Sequence, residues 1–149
     1  MGLISAATVQ VAHKYQLPVD VYGLSTNSHL HEIQNGYERI SSALIPVLAG
    51  ADEISGVGEM EGGVNSSLLQ IVIDDEMLSG IARLRRGLTV DRESLAVDVI
   101  NGPGNYIAEK HTVKYLRGGE ITITDLADRS GWSGWENAGR PSILDREED

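Results

Sequence analysis

Leu17-Pro-Val-Asp-Val-Tyr-Gly23 and Asp52-Glu-Ile-Ser-Gly-Val57 are the two stretches that decide the fold. Each holds a short run with β-branched residues and a closely following glycine, which predicts strands over residues 19–22 and 53–57. The segment between them predicts a helix over residues 36–50, with an inward face made of Tyr37, Ile40, Leu44, Val47 and Leu48. Strand, helix and strand in this order are typical of parallel strands joined by a right-handed crossover.

Helices are predicted on both sides of this strand–helix–strand unit. Residues 4–15 have apolar side chains at helical spacing, and a longer apolar stripe follows over residues 69–84. Asn65 or Ser66 is expected to cap that third helix, and Gly87 is expected to end it. The remaining predicted elements are helices over residues 93–100 and 110–116 and a strand over residues 121–124.

The predicted fold class is α/β, and we interpret the chain as the carboxy-terminal portion of a larger α/β barrel whose first strands are missing. Two parallel strands are too few for a sheet that helices cover on both faces, and the first helix has no preceding strand to pack on. Residues 1–117 are assigned to a partial barrel, and residues 118–149 to a carboxy-terminal extension. Unpaired strand edges and bare helix faces would favour a homo-oligomer or association with a separate amino-terminal half.

Composition argues against several classes of protein. Of 149 residues, 22 are Asp or Glu and 12 are Lys or Arg, so the formal net charge is −10. This charge disfavours nucleic acid and anionic membrane surfaces as partners. The chain has no cysteine, which excludes disulfides and zinc–thiolate sites. No apolar run approaches the roughly 20 residues of a membrane span, and the first residues lack a signal-peptide pattern, so a cytoplasmic protein is expected.

An ordered series of short motifs carries a resemblance to one protein family. The motifs include Gly2-Leu-Ile-Ser-Ala-Ala7, Tyr22-Gly-Leu24, Gln34-Asn-Gly-Tyr-Glu38, Glu61-Gly-Gly63, Gln70-Ile-Val-Ile-Asp-Asp-Glu76 and Leu95-Ala-Val-Asp-Val-Ile100. This series resembles the last third of the trimethylamine methyltransferase family, which moves a methyl group from a methylated amine to a corrinoid protein. The resemblance implies a (β/α)8 TIM-type barrel, a methylated amine substrate, and a corrinoid (cobalamin) carried by a partner protein rather than bound directly.

Two segments depart from the family pattern. The chain has Thr26-Asn-Ser-His29 where the family usually has Thr-Asp-Ser-Lys, and Gly104-Asn-Tyr106 where Gly-His-Phe is common. An acid and a base are thus replaced in a predicted active-site loop, which argues against activity on the family's usual substrates. Because it is interpreted as a fragment, the isolated chain is expected to be inactive. Residues 23–29 are all ordinary amino acids. By resemblance, the chain therefore belongs with the members that lack pyrrolysine and act on quaternary amines such as glycine betaine.

The candidate substrate site lies in the loops after the two strands, because barrel active sites form at the carboxyl ends of strands. A quaternary ammonium leaves as a neutral amine, so the site has to hold a cation and exclude water rather than deliver a proton. Aromatic faces and carboxylates bind such cations, and Glu61 is the first candidate, with a solvated loop glutamate as the alternative. The other candidate substrate-binding residues are Glu59, His29, Asn27, Tyr22 and His31. No residue is assigned a catalytic role.

Two further sets of residues have side chains suited to metal binding or acid–base chemistry. His29 and His31 share one loop, but no third ligand is evident, so no metal site is predicted. The run Asp74-Asp-Glu76 lies within the third helix and is interpreted as a solvated or salt-bridging face. Two functions stay open: methyl transfer by this carboxy-terminal portion, and a non-catalytic fragment or scaffold. The second would complete its sheet with a separate amino-terminal chain or by self-association.

Overall fold

The computed structural model describes residues 2–102 and 104–146, which form two compact units. The first unit comprises residues 2–85 and 124–146, and the second comprises residues 86–123. No helix within these described residues is long and apolar enough to cross a membrane.

A short parallel sheet and three helices form the larger part of the first unit. The elements in chain order are α1 (Gly2–Lys14), β1 (Asp20–Tyr22), α2 (Ile33–Ala49), β2 (Glu53–Ser55) and α3 (Leu68–Arg86). β1 and β2 pair in parallel with Val21 opposite Ile54, so the α/β class and the parallel crossover are confirmed. Within the part of the chain that the structure describes, this sheet has two strands.

The two faces of the parallel sheet differ in polarity. Val21 and Ile54 point to the face that α1 and α2 cover, and the apolar cluster there also includes Val9, Val19, Ala12, Ala49 and Ala51. Successive side chains of a strand point to opposite faces, so the other face carries Asp20, Tyr22, Glu53 and Ser55. The sheet is therefore apolar where it meets the helices and polar on its other side, with Tyr22 at the carboxyl end of β1.

The inward face of α2 differs from the prediction. Tyr37 and Leu48 are each 58% exposed and Ile40 is also exposed, whereas Val47 is buried and Leu44 packs partly buried beside it. The side chains that α2 buries are Asn35, Arg39, Ser42, Ala43, Pro46 and Val47. Apolar spacing failed to find this face because polar side chains occupy it and bind backbone groups of the loops that follow the strands.

The third helix keeps part of its predicted apolar stripe. Ile73 and Ile81 are buried, while Val72 and Leu84 are exposed. Ile81 packs in a second apolar cluster with residues of α2 and with Leu24, the second residue after β1. α3 thus closes over the start of the segment that follows β1.

The segment between β2 and α3 contains a small hairpin that the sequence did not predict. β3 (Glu59–Met60) pairs antiparallel with β4 (Asn65–Ser66), and a tight turn over Glu61–Gly63 joins them. Since the predicted capping residues lie in β4, the cap of α3 is Ser67. Its hydroxyl oxygen accepts a hydrogen bond from the Gln70 N–H at 3.3 Å.

The second unit contains α4 (Val97–Ile100) and α5 (Lys110–Arg117). The predicted helix over residues 110–116 is confirmed, but the helix predicted over residues 93–100 forms only in its last turn. Ala96 has a φ of +51°, outside the helical region, and so separates α4 from the preceding residues. The prediction of a strand over residues 121–124 was wrong, since these residues have no regular structure and no strand of the described chain pairs with them.

The carboxy-terminal residues of the first unit pack on α3. Glu76 accepts hydrogen bonds from the N–H groups of Asp125 and Leu126 at 2.8 and 2.7 Å. Leu126 then lines an apolar cleft of about 370 Å³ beside Met77. A short helix, α6 (Trp132–Asn137), follows; the domain boundary predicted at residue 118 stays a prediction.

Candidate functional site

The loops after the two parallel strands meet at the carboxyl edge of the sheet. Loop 1 comprises residues 23–32, and loop 2 comprises residues 56–67 with the β3–β4 hairpin. The N–H of Gly62 in loop 2 donates to the carbonyl oxygen of Thr26 in loop 1 at 2.8 Å. The parallel register of the strands, which puts both carboxyl ends on one edge, accounts for this meeting.

Glu61, the first candidate carboxylate, is paired within the protein. Its Oε1 lies 2.7 Å from His29 Nδ1, and its Oε2 accepts a hydrogen bond from Asn65 Nδ2 at 3.1 Å. Its N–H donates to the carbonyl oxygen of Ser28 at 3.2 Å. The residue has a φ of +57°, in the left-handed region that is costly for a residue with a side chain. Contacts across the two loops therefore hold Glu61 in a strained conformation.

The side chains of Glu59 and Tyr22 both lie close to Gly63. A Cβ atom placed on Gly63 would be 3.2 Å from Glu59 Oε2 and 3.0 Å from Tyr22 Oη. The Tyr22 ring also lies against Gly56, where a Cβ atom would be 3.3 Å from ring atom Cε2. Within residues 2–102 and 104–146, the Glu59 carboxylate has no hydrogen-bond or ion-pair partner. The Glu59 residue is half-buried.

Asn27 lies at this edge of the sheet, whereas His31 contacts α3. Asn27 Oδ1 would be 3.2 Å from a Cβ atom on Gly62. His31 Nε2 lies 3.2 Å from the hydroxyl of Ser67, the residue that caps α3. Over the described residues, no group of three or more His, Asp or Glu side chains is arranged to hold a metal ion.

Glu38 on α2 fixes the backbone of loop 1. Its Oε2 accepts hydrogen bonds at 2.8 Å from both the Thr26 hydroxyl and the Asn27 N–H, and its Oε1 accepts one from Gln34 at 3.1 Å. These donors, the Thr26 hydroxyl first, hold the pKa of Glu38 below its usual value because they stabilise the ionised carboxylate. Glu38 thus acts as an anionic anchor for loop 1.

A buried polar network, made of Asn35, Arg39, Gln70 and Asp74, lies beneath both loops. Each member is at most 3% exposed. Arg39 Nη1 lies 2.8 Å from Asp74 Oδ2, and Arg39 Nε donates to Asn35 Oδ1 at 2.7 Å. Gln70 Nε2 donates to Asp74 Oδ1 at 2.8 Å, and Asn35 Nδ2 donates to the carbonyl oxygen of Leu30 at 3.2 Å. Burial raises the pKa of Asp74 and lowers the pKa of Arg39, and their ion pair opposes both shifts.

The polar network binds the backbone of both loops. Arg39 donates to the carbonyl oxygen of Leu24 in loop 1 at 2.5 Å and to that of Glu59 in loop 2. Asp74 accepts a hydrogen bond from the N–H of Gly58 at 2.7 Å. A buried arginine that joins carbonyl groups of two loops fixes the position of one loop relative to the other. These are positioning residues for the candidate site.

Sequence reasoning missed three of the four network residues and described the fourth only in part. The salt-bridging interpretation of the acidic run is confirmed for Asp74, but a solvated face is wrong for it because its side chain is 0% exposed. A signal was present in the sequence. Asn35 and Arg39, like Gln70 and Asp74, are polar pairs spaced four residues apart, which places each pair on one face of its helix.

Nearly the whole chain is similar to known proteins. A family model described as trimethylamine methyltransferase matches residues 2–149. The chain belongs to the trimethylamine methyltransferase family. The trimethylamine methyltransferase MttB of Methanosarcina barkeri is 35% identical over 146 residues, which are 96% of this chain and 29% of that protein. MttB of Desulfitobacterium hafniense is 34% identical over 149 residues, 98% of this chain and 30% of that protein.

A relative named for a different substrate matches as well. The glycine betaine methyltransferase of Desulfitobacterium hafniense strain Y51 is 29% identical over 138 residues, covering 90% of this chain and 29% of that protein. The chain spans about 30% of the length of these curated relatives and matches their carboxy-terminal part. The predicted family is confirmed, and the assignment to members without pyrrolysine stays a prediction. Two of the motifs that carry the resemblance, Tyr22-Gly-Leu24 and Glu61-Gly-Gly63, meet at the loop edge of this chain.

Proposed function

We propose that this chain forms part of an enzyme that transfers a methyl group from a quaternary methylated amine to the cobalt of a corrinoid protein. Membership of the trimethylamine methyltransferase family supports the reaction class, and the similarity to a glycine betaine methyltransferase supports the substrate class. The observation that carries the proposal is the pair of glutamates, Glu59 and Glu61, at the edge where the two loops meet.

The architecture is proposed to be the carboxy-terminal portion of a (β/α)8 barrel. The parallel pair of strands supports this, since one face is covered by helices and the other face is polar, as the inside of a barrel near its mouth would be. The placement of the candidate residues also supports it. They follow the carboxyl ends of the strands, where barrel enzymes bind their substrates.

The proposed reaction requires the protein to balance a positive charge and to position the substrate. It requires no proton transfer. In a methyl transfer, the carbon–nitrogen bond breaks, the electron pair returns to nitrogen, and the amine leaves neutral. The corrinoid of the partner protein supplies the cobalt that accepts the methyl group. The loop carboxylates and the Tyr22 ring suit a small cation, which they would hold through charge and through the aromatic face. The polar network below them would keep the loops in place during the reaction.

A methyl-transfer assay tests the proposed reaction. We expect no transfer from glycine betaine to reduced cobalamin by this chain alone. We expect transfer by a chimera in which this chain replaces the matching part of the Desulfitobacterium hafniense glycine betaine methyltransferase. Introducing Glu61→Gln into the chimera should lower the rate, and an unchanged rate would remove Glu61 from the cation site. A folded chimera without transfer from any methylated amine would contradict the proposal, as would turnover by the isolated chain.

Exposed apolar surface favours a second candidate function, a non-catalytic fragment that associates through its open faces. Leu3, Ile4 and Ile33 on α1 and α2 are large apolar side chains, and Ile33 is 85% exposed. In the described residues, β1 and β2 each have one strand neighbour, which leaves the outer edge of each unpaired. Such surface favours self-association or pairing with a separate amino-terminal chain.

Solution mass tests this second candidate. Light scattering on the isolated chain is expected to give a mass above that of the monomer. Adding the amino-terminal part of a relative is expected to convert these assemblies into a one-to-one complex. A stable, monodisperse monomer with a cooperative thermal transition would contradict association. A one-to-one complex without methyl transfer would favour the scaffold function over the enzyme.

A further inference from the structure

The space between Tyr22 and Glu59 has the chemistry of a cation site. On one side lies the phenol of Tyr22, whose ring rests against the backbone of Gly56. On the other side lies the carboxylate of Glu59, half-buried and unpaired within the described chain. Gly63 lies between them, and a Cβ atom there would approach both groups to within 3.2 Å. The missing side chain of Gly63 therefore keeps this space open.

The neighbouring glutamate is a weaker candidate for the same task. Both carboxylate oxygens of Glu61 have partners, His29 Nδ1 at 2.7 Å and Asn65 Nδ2 at 3.1 Å. A cation that bound Glu61 would have to displace one of these contacts, whereas a cation that bound Glu59 would displace none. The two carboxylates therefore differ in that the described chain already pairs Glu61 but not Glu59.

We propose that Tyr22, Gly63 and Glu59 form the subsite for the methylated ammonium group, with Glu59 as its counter-ion. The inference rests on the proposed function and makes it specific to one carboxylate. Glu59 balances the positive charge, and the Tyr22 ring contacts the methyl groups, which carry much of that charge. Gly63 determines specificity by leaving room for the methyl groups.

The backbone around the subsite is fixed well enough to hold a small ligand. Glu59 pairs with Ser66 across the β3–β4 hairpin, and its carbonyl oxygen accepts a hydrogen bond from the buried Arg39. Tyr22 is the last residue of β1 and pairs with Ser55 of β2. Both ligand-binding side chains thus project from hydrogen-bonded strands rather than from a free loop, which limits the entropy lost on binding.

Binding of tetramethylammonium to the full 149-residue chain, followed by NMR titration, tests the charge. We expect saturable binding, and no binding of tert-butanol, a neutral molecule of similar shape. Glu59→Gln is expected to weaken binding at least about tenfold, equivalent to about 1.4 kcal/mol. The control is Glu53→Gln, an exposed glutamate at the start of β2, which should leave the affinity unchanged.

Two further pairs of variants test the ring and the glycine. Tyr22→Phe keeps the aromatic face and should retain most of the affinity, whereas Tyr22→Leu should lose it. Gly63→Ala should abolish binding because its Cβ fills the space. Gly139→Ala is the matched control, since Gly139 has the same φ, +88°, but a Cβ atom there would meet no described atom within 4 Å, so the affinity should be unchanged. Circular dichroism of each variant shows whether it is folded.

The outcomes separate this inference from the proposed function. Absence of tetramethylammonium binding, equal binding of tert-butanol, or weakening by Glu61→Gln but not by Glu59→Gln would overturn the subsite. A chimera that transfers methyl groups equally well with Glu59→Gln would also overturn it, while leaving the proposed function intact. Binding that depends on Glu59 in a chain whose chimera never transfers a methyl group would support the subsite and reject the reaction.

Discussion

Replacing Arg39 with methionine is expected to lower the free energy of unfolding by about 3–5 kcal/mol, the range for breaking a buried ion pair. The Arg39 and Asp74 side chains are both 0% exposed and lie 2.8 Å apart. Methionine fills a similar volume but leaves the Asp74 carboxylate buried without its cation. It also leaves the carbonyl oxygens of Leu24 and Glu59 without their donor. Urea denaturation followed by circular dichroism measures the change.

Two control experiments show whether the loss of stability comes from breaking the buried ion pair or from removing any arginine. Arg92→Met removes an exposed arginine of the second unit and should change the stability by less than about 0.5 kcal/mol. Combining Arg39→Met with Asp74→Leu should cost less than the sum of the two single changes, with a coupling of about 1–3 kcal/mol. Additive losses would show that the ion pair does not carry the effect.

Substituting alanine for Gly56 is expected to lower the free energy of unfolding by about 3 kcal/mol, through two effects that add. Gly56 has a φ of +101°, which costs an alanine about 1 kcal/mol or more. The added Cβ would also lie well inside van der Waals contact with the carbonyl oxygen of Gly23, and a clash with backbone costs roughly 1–3 kcal/mol. Because the same Cβ approaches the Tyr22 ring, tetramethylammonium binding should weaken as well.

Gly50 supplies the matched control for Gly56. Its φ is +103°, nearly the same, but a Cβ atom there would meet only the His13 ring, at 3.1 Å, which can move aside. Gly50→Ala should therefore cost only the backbone contribution, about 1 kcal/mol. Equal losses for the two variants, measured by thermal and urea denaturation, would contradict the predicted clash with Gly23.

Local sequence patterns were sufficient to predict the order of the main elements. The strands around Val21 and Ile54 are short β-branched runs next to glycines, and the helices have apolar residues at regular spacing. Parallel pairing then follows from the element order, and with it the meeting of loops 1 and 2. The neighbourhood of the candidate residues was predictable for this reason, although their individual partners were not.

Contacts between residues that are distant in sequence account for most of the differences between the predicted and the observed structure. Arg39 and Asp74 are 35 positions apart, and no periodicity in either helix indicates that they pair, so the buried face of α2 was predicted wrongly. The β3–β4 hairpin depends on the left-handed backbone conformations of Glu61, Gly62 and Gly63. A glutamate rarely adopts this conformation, so the sequence did not indicate a turn at Glu61. The strand predicted over residues 121–124 has suitable residues but no partner strand in the described chain.

The sequence predicted a set of candidate site residues but not how these residues are arranged in space. Glu61 was predicted ahead of Glu59, although both are acidic residues of one glycine-rich segment. Only the fold shows that Glu61 is paired with His29 and that Glu59 lies beside Tyr22. His31, which the sequence could not distinguish from His29, instead contacts the start of α3.

The buried network binds loops 1 and 2 mainly through their main-chain groups. The side-chain contacts are those of Arg39 and Asn35 with the Met60 sulfur and of the Gln70 N–H with the Ser67 hydroxyl. Mutation of the other loop side chains can therefore leave the bonds to this network in place. This separation would let enzymes of this architecture diverge in substrate preference by point mutation while inheriting an unchanged frame. Transplanting such a loop into a relative, conversely, should succeed only when its arginine and aspartate supports are carried along.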